Sequence, residues 1–179
     1  MTAINQTQDL VTAVRHSVRL GFERTLEQDA AFGIRQLVDI ASKALSAAVN
    51  DPYTAVQAID HLASVMASIA RRDQGPAVYA TDAATTVAVP AYDFAEYLEL
   101  ACAQIRRYGA SEPTVGRSLI RLLASISHAT AAPDRHAAIS EQLRLIVDDA
   151  ERQVAQPQDL LPLRAEATAL HDQLAADTP

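Results

Sequence analysis

The sequence predicts a mainly α fold: a multi-helix bundle of about six to seven helices with one small β-hairpin near residues 77–89. Three observations carry that expectation. About a fifth of the 179 residues are alanine, the best helix former and small enough to let helices approach closely. Apolar residues recur at helical spacing along most of the chain, in segments punctuated by proline and glycine. One patch alone, 77–89, shifts to valine, threonine and tyrosine around a short polar turn. Nothing resembles a linker long enough to separate a second unit. The chain therefore reads as a single helical domain over 1–179, with 1–8 and 176–179 frayed.

Taken in order, residues 9–20 read as a helix with Leu10, Val14 and Val18 on one side, and Gly21 interrupts it. Over 29–49, Ile34, Leu37, Val38, Ala41, Leu45 and Ala48 form a stripe, with Arg35, Gln36, Asp39, Ser42 and Lys43 mostly elsewhere around the helix. Asn50-Asp51-Pro52 then marks a boundary. Proline pushes the preceding residue out of helical geometry, and Asp at the N-cap followed by Pro is a strong helix start. The next helix spans 52–72 with Val56, Ile59, Leu62, Met66 and Ile69 inward, so the two should pack as an antiparallel hairpin. Gln74-Gly75-Pro76 ends it. Strand-forming residues follow at 78–80 and 85–89. Four more helices read over 92–108, 112–129, 133–155 and 159–175, built on Leu98 and Ile105, Leu119 and Leu123, Ile139 and Ile146, and Leu163 and Leu170.

Charge and cysteine usage narrow the function. The net charge is −7 and the pI about 5.1, which opposes binding to nucleic acid and to anionic membranes. Cys102 is the one cysteine, so no intrachain disulfide can form. It falls on an apolar stripe and reads as a buried structural thiol. No signal peptide and no apolar run of about 20 residues is present, so the chain as it stands reads as soluble and cytoplasmic.

The sequence offers no catalytic signature. It lacks a glycine-rich phosphate loop, a Gly-x-Ser-x-Gly elbow, a His-Glu-x-x-His pair and paired cysteines, so we expect no catalytic residues, no metal and no cofactor. His16, His61, His128, His136 and His171 are scattered; His128 and His136 flank one helix connection and are the pair that could approach. The polar residues of most interest are Arg24, Gln28, Asp29, Arg35, Asp39, Ser46, Asn50, Asp51 and Thr54. The structural reading makes Asp51 a cap, Asn50 a turn residue and Arg35–Asp39 a solvated i,i+4 pair. The functional reading makes them a polar network in which arginines hold a carboxylate or phosphate. The sequence favours the first.

These residues also carry a resemblance. Gly21-Phe22-Glu23-Arg24-Thr25, Gln28-Asp29, Phe32-Gly33-Ile34-Arg35-Gln36-Leu37-Val38-Asp39-Ile40-Ala41, Ala44-Leu45-Ser46, Asn50-Asp51-Pro52-Tyr53-Thr54-Ala55-Val56 and Ile59-Asp60-His61-Leu62 resemble the signature of domain-of-unknown-function family 2254, bacterial predicted membrane proteins. A weaker likeness continues through Tyr92-Asp93-Phe94 and Gln104-Ile105-Arg106, covering about residues 10 to 155. Ala30 and Ala47 stand where the family typically has proline. Family members carry transmembrane helices ahead of this region. The resemblance thus implies either an excised soluble domain or a membrane-free relative, membrane-associated when it belongs to a longer member. It implies a fold and a membrane context, and no activity.

The expectation is a non-enzymatic regulatory or protein-interaction domain, self-associating as a homo-oligomer, most simply a dimer, or meeting a membrane-protein partner or the missing membrane region. A small anionic-ligand sensor and an enzyme of unrecognised type are the alternatives.

Overall fold

The computed structural model describes residues 11–12, 29–80 and 86–176. Most of the helix expected over 9–20 lies outside them; Val11 and Thr12 are helical. The first described full helix, α1, spans Ala30–Ala44, and α2 spans Pro52–Ala70. Strands β1 (Ala77–Ala80) and β2 (Thr86–Val89) pair antiparallel, Ala77 opposite Val89 and Ala80 opposite Thr86. Helices α3 (Phe94–Tyr108), α4 (Pro113–Ser127), α5 (Pro133–Gln153) and α6 (Pro157–Ala176) complete the fold. The bundle is thus mainly α, with one small hairpin where β propensity concentrates.

Local chemistry sets most helix starts. Asp29 caps α1 by accepting from the Phe32 amide at 3.0 Å. Asp93 and Glu96 form a reciprocal capping box at α3, each side chain accepting from the other's amide at 2.8 Å. That box starts α3 at Phe94 rather than at the expected Tyr92. Pro52, Pro113, Pro133 and Pro157 all sit in first turns, where a missing N–H costs nothing. Helix α6 starts two residues before the expected Asp159 for this reason. The expected helix over 29–49 ends early, at Ala44. The returning Asp51 amide takes the Ala44 carbonyl at 2.8 Å, and Asn50 adopts φ +47°, left-handed geometry that asparagine tolerates.

The helices stack in tiers. α1 and α2 form the expected antiparallel hairpin, α1 lying on α3 and α2 on α4. α5 seats against both α3 and α4, and α6 packs on α4 and α5. α3 and α4 therefore lie between the other two pairs, and touch each other little. Ile34 and Val38 of α1, Ile59, Leu62 and Met66 of α2, Leu98 and Ile105 of α3, Leu119, Leu123 and Ile126 of α4, Ile139 of α5 and Leu163 of α6 belong to one continuous buried cluster. Gly116 allows the close approach of α4 to α6: a Cβ there would stand 2.7 Å from Leu163 Cδ1.

Polar groups fasten the tiers. Arg106 of α3 pairs with Asp149 of α5, both side chains nearly buried, and Arg152 reaches the same carboxylate. Gln142 Nε2 donates to Glu99 Oε2 at 2.6 Å along the same α3–α5 contact. Arg117 of α4 donates to Glu166 of α6 through Nε at 2.8 Å and Nη2 at 2.6 Å. Arg135 at the start of α5 donates to the Ala70 carbonyl and, at 2.8 Å, to the Arg72 carbonyl, closing the end of α2, while its guanidinium lies 5.4 Å from the Phe94 ring centroid.

Candidate functional site

The turn between α1 and α2 gathers four of the residues singled out above. Ser46 Oγ donates to the Lys43 carbonyl at 2.7 Å, and the Val49 and Asn50 amides both donate to the Ser46 carbonyl, at 3.0 and 2.8 Å. Asp51 caps α2 with both oxygens: Oδ1 accepts from the Thr54 amide at 3.1 Å and Oδ2 from the Thr54 hydroxyl at 2.6 Å. These bonds, the hydroxyl's foremost, hold the Asp51 carboxyl below its ordinary value of 3.8. Ser46, Asp51 and Thr54 thus spend side-chain polar atoms on a turn, and Asn50 its backbone N–H. Among the described residues, no hydrogen bond or ion pair joins them to Arg35 or Asp39. Arg35 and Asp39 stand exposed on α1, Arg35 about two and a half turns before its end, and no hydrogen bond or ion pair links the two among the described residues. Asp29 serves α1 as its cap. Arg24 and Gln28 lie outside the described residues.

Beside the exposed Lys43 and Asn50, what the turn presents outward is apolar. Tyr53 is 77% exposed, Val49 51% and Ile40 50%, and all three belong to the turn end of the hairpin. Ala47 and Ala48 are exposed beside them. No residue between Lys43 and Asp51 carries a charge.

A second feature was not legible as a motif. An open groove of about 650 Å³ runs between α5 and α6, with Ala137, Leu143 and Val147 on one side and Ala167, Thr168 and His171 on the other. Arg144 stands at its edge, bonded to Glu141 Oε1 at 2.7 Å and to Asp148 Oδ2 at 2.6 Å. The Arg144 hydrogen bond lowers the Glu141 carboxyl, and that same bond raises the guanidinium. The sequence did hold one signal. Ile146 and Val147 are adjacent apolar residues on α5, so the apolar face is wider than one buried stripe. Ile146 is buried and Val147 half-exposed in the groove.

Cys102 is fully buried, and desolvation pushes its thiol up to about 12. His128 and His136 do reach one cavity, of about 460 Å³. Each ring already donates to a carbonyl, His128 Nδ1 to Ala124 at 2.6 Å and His136 Nε2 to Thr130 at 3.0 Å. No group of three His, Cys, Asp or Glu side chains suited to a metal occurs among the described residues.

Residues 1–125 match the family described as Predicted membrane protein (DUF2254). The chain belongs to that family. It is 45% identical over 147 residues to uncharacterised proteins of Mycobacterium bovis and of Mycobacterium tuberculosis, a match covering 82% of this chain and 28% of each relative. The chain thus spans less than a third of the length of these curated relatives. No solved structure matches it. Among the described residues no helix is long and apolar enough to cross a membrane. The matched segment includes the α1–α2 turn and ends within α4, so the α5–α6 groove lies outside it.

Proposed function

We propose that this chain is a non-enzymatic interaction domain working within a membrane-protein architecture, and that it self-associates as a dimer through the groove between α5 and α6. The observation that carries the reading is the groove itself: apolar, open to solvent and on the outer tier, with charges of both signs along one edge. A symmetric pair would set Val147 and Ala167 of each copy against the other, burying them from water. It would also bring Arg144 of one copy near Glu141 or Asp148 of the next, favouring one register. The anionic-ligand reading has less behind it, because Arg35 points to solvent apart from the polar residues at the turn.

Light scattering across micromolar concentrations tests the dimer. The expected mass is twice the 19.2 kDa of one chain, and Val147→Asp, a change at a half-exposed position, should return the single-chain mass with helicity intact. A mass of 19.2 kDa at every concentration would overturn the reading.

A further inference from the structure

The geometry points to the α1–α2 turn as a contact with the lipid–water interface, with Tyr53, Val49 and Ile40 entering the headgroup layer and Lys43 at its edge. This rests on the membrane context proposed above and is independent of the dimer.

Four observations converge on the turn. Apart from Lys43 and Asn50 its exposed side chains are aliphatic or tyrosine, and tyrosine favours the headgroup level because its ring is apolar and its hydroxyl polar. Three of its polar groups are already used: the Ser46 hydroxyl, the Asp51 carboxylate and the Asp51 amide all bond within the turn, which reduces the hydrogen bonding to water that insertion would cost. Those same bonds, with Asn50 held at φ +47°, fix the turn, so contact requires no ordering of a loose loop. Finally, the turn lies within the segment matched to a family of predicted membrane proteins.

The net charge of −7 does not forbid this. Charge repulsion is screened beyond roughly 8 Å at physiological salt. At the turn itself the one basic group, Lys43, has a long stem that can lie along apolar surface with its ammonium among phosphates. Asp39 sits beside Ile40 on the shaft of α1 and sets how far the hairpin can enter. The contact therefore suits zwitterionic lipid.

The chain contains no tryptophan, so Val49→Trp introduces a single fluorescent reporter at the turn. Val49 is 51% exposed, which leaves the fold unburdened by the change. The full chain, tagged at its C-terminus, is held on phosphatidylcholine vesicles by a nickel-chelating lipid, so the tether supplies proximity and only the turn is tested. Expected are a blue-shifted emission and quenching by brominated lipid several-fold stronger than for Leu161→Trp, an exposed position on α6. Adding Tyr53→Asp should abolish both signals, and adding Val147→Asp should leave them. Equal quenching at the two positions overturns the proposal. So does a blue shift of Val49→Trp without vesicles that grows with protein concentration, which would mean that a second copy covers the turn. Neither failure bears on the groove dimer, which light scattering reads separately.

Discussion

Arg106 on α3 and Asp149 on α5 form an ion pair whose side chains are 10% and 12% exposed, where water can do little to replace a missing partner. Removing Asp149 leaves the Arg106 charge uncompensated, so Asp149→Ala should cost about 3–5 kcal/mol. Arg106→Met with Asp149→Leu should cost much less than the single change, because neither charge then remains. Urea unfolding of the three proteins checks both statements; equal losses would show that the pair itself, and not the orphaned charge, carries the stability.

Gly116 sets two opposing effects against each other. Alanine there gains about 1 kcal/mol of helix propensity. Its Cβ would stand 2.7 Å from Leu163 Cδ1, and Leu163 is fully buried. Overpacking of this kind costs about 1–3 kcal/mol. Gly116→Ala should therefore lose less than about 2 kcal/mol, and Gly116→Val clearly more, since it adds bulk and forgoes most of the propensity gain. Thermal melts of both variants decide the order.

The Asp51 cap should leave a mark in acid. Its folded carboxyl titrates below the ordinary 3.8. A depressed carboxyl adds stability that is fully present above its unfolded value and is lost as pH falls through the folded one. Asp51→Asn should be less stable than the parent at neutral pH, and the gap should narrow as pH drops below about 4. Unfolding curves at successive pH values measure it; a constant gap would mean that the carboxylate charge plays no role in the cap.

Cys102 should be nearly inert in the native state. Its thiol is pushed up to about 12 and is fully buried, so both thiolate and access are lacking at mild pH. Reaction with a disulfide reagent should follow the fraction unfolded along a urea titration. Prompt labelling without urea would show that the α3 face opens locally.

Sequence and structure agree where a feature depends on neighbours along the chain. Asp51-Pro52 announces a capped helix start, and the Asp51 and Thr54 side chains do make that cap. The strand-forming residues flanking 81–84 do pair, and the one cysteine is buried as its stripe implied. Features that depend on which helices meet were not legible. Arg106 and Asp149 are 43 positions apart, and nothing in either local pattern selects the other. The groove depends on the spacing between α5 and α6, which small residues such as Ala137 and Ala167 allow but do not specify. The end of α1 was misplaced because Leu45 and Ala48 continue the apolar period, while the Asp51 amide closes the turn on Ala44. Arg35 and Asp39 have the right spacing for a pair, yet on a solvated helix face spacing alone binds nothing.

The tiered stacking has a consequence for how the chain is made. Among the described residues, most of what covers the inner face of the α1–α2 hairpin arrives later, because α1 rests on α3 and α2 on α4. During vectorial synthesis Ile34, Val38, Ile59, Leu62 and Met66 gain their α3 and α4 neighbours only once α4 has emerged. At roughly 5–20 residues per second, the rest of the chain up to Ser127 takes several seconds to be synthesised. For that interval the hairpin displays a greasy flank to the cell, the kind of surface that holdase chaperones protect. Truncating the chain before Pro113 would make the interval permanent.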